Sequence, residues 1–109
     1  MPTPEPENQE LQPLAEIDRV IHEPARLAIL GLLAAVESAD FRFVQNQTGL
    51  TGGSLSSHMT RLEEAGYVEV TKEFVNRIPR TLLRSAKKGR AALRQYKQNL
   101  LRVLKGLPG

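Results

Sequence analysis

Apolar positions along the chain recur at about 3.6-residue spacing up to residue 66, switch to a spacing of 2, and then return to 3.6 near the end. Leu14, Ile17, Val20 and Ile21 fall at helical spacing and predict a short amphipathic helix over 14–21, too short to stand without packing. A second helix is expected from Pro24, whose missing N–H suits a first helical position. Its Leu27, Ile29, Leu30, Leu32 and Leu33 are apolar nearly all round, which predicts the centre of the core. Arg26 is expected to pair with Glu23 at the start of that helix. Residues 36–39 read as a connector with room for one minimal strand. Asp40 then caps a third helix carrying Phe41, Val44 and Thr48, which Gly49 ends.

Residues 51–66 predict the helix around which the rest is organised. Thr51 offers an oxygen to the unpaired amides of the first turn, and Gly66 offers the left-handed conformation that closes the last. Leu55, Met59 and Leu62 form its core stripe. Gly53, Ser57, Thr60 and Glu64 lie on the opposite side, with Ser54, His58 and Arg61 in a second row. The front half is small and hydrogen-bonding, whereas Glu63 and Glu64 make the rear acidic. Phosphate would repel that rear, while the slender front fits a groove and can donate to phosphates or base edges. This is the pattern of a recognition helix inserted tip-first. A solvated surface helix shows the same small polar residues, so the neighbouring elements must decide. Gly49 is separated from Thr51 only by Leu50, and the resulting tight junction between two short helices is what a helix-turn-helix needs.

Beyond Gly66, Val68, Val70 and Phe74 alternate on one face of a strand, and residues 80–85 can return beside it. Residues 75–79 are expected as the hairpin loop, with Asn76 at positive φ and Pro79 blocking further pairing. Lys72, Arg77, Arg80 and Arg84 lie on this ribbon, where an arginine at the tip can reach a minor groove and the others can meet flanking phosphates. For Lys72 and Arg84 the guarding of an exposed strand edge is an equal reading. The last helix is expected over about 86–104. Leu93, Tyr96, Leu100, Val103 and Leu107 follow 3-4 spacing there, with Leu101 and Leu104 widening the stripe. So much apolar surface in a small chain predicts a homodimer in which Leu14, Ile17 and Ile21 with Leu93, Tyr96, Leu100, Val103 and Leu104 pack on the second subunit. Packing within one chain is the alternative.

Composition sharpens this picture. A chain of 109 residues accommodates one domain, expected over 14–107. Residues 1–13 hold four of the seven prolines and three glutamates, and are expected to form a disordered tail. The net charge of +3 conceals an asymmetry, because residues 1–66 carry 4 Lys+Arg against 10 Asp+Glu and residues 67–109 carry 11 against 2. A positive region so concentrated marks a polyanion-contact surface. The sequence has no cysteine, which removes disulfides and thiolate metal sites. His22 and His58 stand 36 positions apart without paired carboxylates, so no metal site or other cofactor is expected. No apolar run approaches a membrane span and no signal pattern opens the chain, which predicts a cytoplasmic protein. Ser56-Ser57-His58 resembles a nucleophile beside a base, but adjacent residues do not face each other on a helix, so no catalytic residue is assigned and no enzyme is expected.

These residues, in combination, resemble the winged-helix transcriptional regulators of the MarR/ArsR type, in particular their minimal single-domain members. The resemblance rests on Pro24-Ala25-Arg26-Leu27-Ala28-Ile29-Leu30, Gly49-Leu50-Thr51, Leu55-Ser56-Ser57-His58-Met59 and Leu62-Glu63-Glu64-Ala65-Gly66-Tyr67-Val68. Lys72-Glu73-Phe74, Pro79-Arg80-Thr81 and Gly89-Arg90-Ala91-Ala92-Leu93 extend it over most of residues 14–95. It implies a mainly α fold with a small β-hairpin, and a homodimeric repressor on a palindromic operator in double-stranded DNA. The DNA contacts it points to are Thr51, Gly53, Ser54, Ser56, Ser57, His58, Thr60 and Arg61, with Lys72, Arg77 and Arg80 on the wing. Two departures stand out: Ser85-Ala86-Lys87-Lys88 replaces the usual Leu-Thr-Pro-Glu, so Ser85 is expected to cap one residue early, and the cysteine-rich metal motif is absent. With no separate effector domain, any ligand site is confined to the dimer interface or the first helix. The competing functional reading is a winged helix that docks a protein partner without reading DNA sequence.

Overall fold

The computed structural model describes residues 15–109, so the expected tail over 1–13 and the contact expected of Leu14 lie outside the described residues. The elements run α1 (Pro24–Ala34), β1 (Ala39–Asp40), α2 (Phe41–Thr48), α3 (Gly52–Glu64), β2 (Val68–Val75), β3 (Ile78–Ser85) and α4 (Lys87–Lys105). The fold is mainly α with a three-stranded antiparallel sheet in the order β1-β3-β2. The minimal strand for which the connector had room is the two-residue β1, displaced to the end of that segment, which pairs Ala39 with Leu83 and Asp40 with Leu82.

Local chemistry sets the boundaries. The Glu23 carboxylate accepts from the Arg26 amide at 2.8 Å, with Pro24 at the first helical position of α1. Asp40 accepts from the Arg42 amide at 2.8 Å to start α2, and Gly49 at φ 72° ends it. Thr51 accepts from the Ser54 amide at 3.1 Å to start α3. Past its end Gly66 adopts φ 80°, and the Gly66 and Tyr67 amides return to the carbonyls of Glu63 and Leu62, closing the helix in a Schellman arrangement.

α1 lies at the centre of the molecule, touching β3, α2, α3 and α4. Its Ile29, Leu30 and Leu33 are fully buried with Val44, Leu55, Leu62 and Leu83.

The N-terminal segment corrects two expectations. Residues 16–23 form turns rather than the rest of a helix, because Asp18 Oδ1 takes the amides of Val20 and Ile21 at 2.9 and 3.3 Å. An aspartate side chain that satisfies nearby amides competes with the helical ladder. The same carboxylate accepts the Tyr67 hydroxyl through Oδ2. Of the residues expected at a dimer contact, Ile17, Ile21, Tyr96 and Val103 are buried within the chain itself, Ile21 at 0 % exposure. One chain therefore covers part of the stripe that was assigned to a partner. Leu93 and Leu100 are half-buried against the same core, and Leu104 stays 52 % exposed beside the exposed Leu101 and Leu107.

The start of α4 also differs. Its N-cap is Ala86, which has no side-chain oxygen to offer. Ser85 does not cap, because it is buried on β3 and its hydroxyl donates to the Leu33 carbonyl at 3.4 Å. Arg90 instead ties this corner, donating from Nη1 to the Ser85 carbonyl at 2.8 Å.

Candidate nucleic-acid interface

α3 presents Gly53, Ser56, Ser57, Thr60 and Arg61 to solvent, as its periodicity requires once Leu55, Met59 and Leu62 are buried. Nothing lies within 4 Å of where a Cβ on Gly53 would point, so the front of the helix is open as well as slender. Thr60 donates its hydroxyl back to the Ser56 carbonyl at 3.0 Å, leaving its oxygen lone pairs and methyl group outward. Ser54 is half-buried.

His58 is placed differently from the expectation. Its Nδ1 accepts from Arg26 Nη1 at 3.2 Å and lies 3.6 Å from Glu23 Oε2, so it faces the start of α1 instead of the open side. Arg26 also donates through Nε to the Val20 carbonyl, and this replaces the simple Arg26–Glu23 pair expected from sequence. Burial raises the Glu23 carboxyl, but the amides of Arg26 and Ala25, with His58 and Arg26 nearby, outweigh it and hold that carboxyl below its ordinary range. The cluster anchors α3 to α1 from behind.

The wing is a tighter hairpin than the loop expected over 75–79. Val75 pairs directly with Ile78, so the turn is Asn76-Arg77 alone, with φ at 51° and 66°. Two consecutive positive φ values define the type I′ turn, whose twist matches that of the strands. Pro79 continues β3 opposite Phe74. In an antiparallel ladder with 75 and 78 as a hydrogen-bonded pair, position 79 needs no N–H toward its neighbour, so proline is tolerated there.

The register also sorts the basic residues. Lys72 lies on the face turned toward α3, beside a cleft of about 430 Å³ between Ser56, Thr60 and Glu63 of the helix and Thr81 of β3. Arg80 lies on the other face, where its Nε donates to Asp40 Oδ2 at 3.2 Å. The Arg42 amide, ahead of an opposing burial effect, and then Arg80 hold the Asp40 carboxyl below its ordinary range. Arg84 lies on the central strand, 3.6 Å from Glu69, its register partner on β2. Arg42, not among the contacts expected from sequence, is exposed in the first turn of α2 and lines a hollow of about 280 Å³ with Ile78, Pro79 and Arg80. A base immediately after a helix cap was the available signal.

A short polar-faced helix preceded by a tight helix-turn junction and flanked by an arginine-tipped hairpin defines a winged helix-turn-helix. A family profile described as a winged helix DNA-binding domain matches residues 25–104. The chain belongs to that winged-helix DNA-binding family. An uncharacterised protein of Methanocaldococcus jannaschii is 30 % identical over 89 residues, covering 82 % of this chain and 97 % of that protein. The structure of a transcriptional regulator homologue from Pyrococcus horikoshii matches at TM-score 0.81 and 30 % identity, covering 93 % of this chain and 99 % of the other. The PcaV transcriptional regulator of Streptomyces coelicolor shares the fold at TM-score 0.69 and 21 % identity, over 92 % of this chain and 70 % of that one. Among the described residues no helix is long and apolar enough to cross a membrane.

Proposed function

We propose that the protein is a homodimeric repressor that binds a pseudo-palindromic operator, with the front of α3 in the major groove and the wing in the adjacent minor groove. The observation that carries this reading is the conformation of Arg77. An arginine occupies a left-handed position at the second residue of a type I′ turn, where glycine is strongly favoured. Backbone strain of this kind clusters at functional positions. Here it places a guanidinium at the extremity of the wing. Ser54, Ser56, Ser57, Thr60 and Arg61 then supply base and phosphate contacts, with Thr51 and Gly53 at the helix tip and Lys72 on a flanking phosphate. Arg80 contributes from the outer face of the wing. His58 serves by fixing the pitch of α3 against α1. The second subunit packs on Leu101 and Leu104, which α4 leaves exposed, and on Leu107 just past its end.

The test is selection of a bound pool from random double-stranded DNA, with binding measured at two salt concentrations. A palindrome with half-sites one helical turn, about 10 bp, apart supports the reading. Salt-dependent binding without enrichment overturns the operator, and no binding at low salt leaves a fold that docks a protein partner.

A further inference from the structure

Phe74 is 77 % exposed and Ile78 63 %, the highest values among the large hydrophobic residues described. Both lie within two register pairs of the wing tip. Because Phe74 opposes Pro79 and Val75 opposes Ile78, the ribbon carries Phe74 with Pro79 on one face and Val75 with Ile78 on the other. Between these apolar faces stands Arg77, the one charged residue from position 74 to 79. The next register pair is Glu73 opposite Arg80, and the Arg80 guanidinium is held by Asp40. The tip is thus a cation with an apolar group on each side. A minor groove has the matching form: its floor carries strong negative potential, and its walls are the C–H faces of deoxyribose rings.

Resting on the DNA-binding reading above, we propose that Phe74 and Ile78 form a collar that packs on the two sugar walls of the minor groove while Arg77 occupies its floor. The wing then reads groove width. A groove too wide leaves one face of the collar unpacked, and one too narrow excludes it. Charge complementarity and continuity with α3 favour this occupant, since Lys72 and the cleft beside it join the collar to the exposed face of the helix.

The test titrates the full-length chain against the selected duplex over a range of salt concentrations. Phe74→Ser and Ile78→Ser are each expected to bind about tenfold more weakly, equivalent to ~1.4 kcal/mol. Their salt slope should equal that of the parent, because no counterion-releasing contact is lost. On a duplex shortened to end before the flanking minor groove, parent and variants should bind equally. Both side chains are exposed, so thermal unfolding should not change. Unaltered affinity, a reduced salt slope, or a loss that persists on the shortened duplex would each overturn the collar. Binding of the parent to vesicles containing phosphatidylglycerol, abolished in Phe74→Ser while DNA affinity stays intact, would assign the tip to a membrane surface instead. Failure of the parent to bind any duplex overturns the underlying DNA reading, a result distinct from all of these.

Discussion

The main-chain carbonyl of Tyr67 lies so close to Gly89 that a Cβ at residue 89 would sit 2.1 Å from its oxygen. That carbonyl also accepts from the Ala86 amide at 2.9 Å, so the turn after α3 holds the first turn of α4 directly. The contact explains a glycine inside a helix that has no capping side chain. Gly89→Ala must push the two segments apart and is expected to cost about 1–3 kcal/mol, as overpacking does. Gly31 in α1 has nothing within 4 Å of its Cβ direction. Gly31→Ala should therefore stabilise by about 0.5–1 kcal/mol through chain entropy. Urea unfolding of both variants should show these opposite signs, and equal effects would contradict the close approach.

Arg77 should separate stability from binding. Replacing it with glycine relieves a left-handed cost of about 1–2 kcal/mol and adds about 0.5–1 kcal/mol of chain entropy, a net gain of roughly 0.5 kcal/mol. The same variant should lose about one unit of the salt slope of DNA binding. A variant that is more stable and also binds as before would show that the wing tip does not touch DNA.

Gly53 offers the same separation on α3. Alanine fits its open surroundings and should raise helix stability by about 0.5–1 kcal/mol. If the helix tip is pressed into a groove, the added methyl group should weaken operator binding by about tenfold, ~1.4 kcal/mol. Calorimetric melting and anisotropy titrations of one preparation would reveal whether the two effects part.

Tyr67 gives a pH signature. Burial first, then its hydrogen bond to Asp18 and the charge of that carboxylate, push the phenol from 10.0 up to about 12. A group whose pKa is raised on folding stabilises fully below its free value and loses that contribution as pH climbs through the folded one. Stability should accordingly fall between pH 10 and 12, and Tyr67→Phe should flatten that fall. Absorbance titration of the phenolate alongside unfolding at each pH tests both statements.

The helix-turn-helix was legible because its boundary signals are local. Asp40, Gly49, Thr51 and Gly66 each act within four residues, and each caps or closes as its type predicts. Signals that depend on distant atoms were not legible. Ser85 looked like a cap, but Leu33, remote in sequence, takes its hydroxyl. His58 sat in the second, edge row of a helical wheel, yet Glu23 and Arg26 draw it toward α1. Pro79 suggested a loop reaching from 75 to 79 because its effect depends on which way the missing N–H would point, and that requires the register. The apolar stripe of α4 was recognised correctly, but spacing does not reveal whether Tyr96 and Val103 are covered by their own chain.

The burial of Ile17 and Ile21 separates two definitions of this domain. The family profile begins at residue 25, whereas the packed unit reaches back through Ile17 to Glu16, whose carbonyl accepts from Asn99 on α4. His22 and Tyr96 close the same seam with a 2.9 Å hydrogen bond. A fragment cut at the family boundary would leave a hole along α4 where two isoleucines belong. Excision and grafting of this domain must therefore follow its physical edge, several residues upstream of where the profile starts.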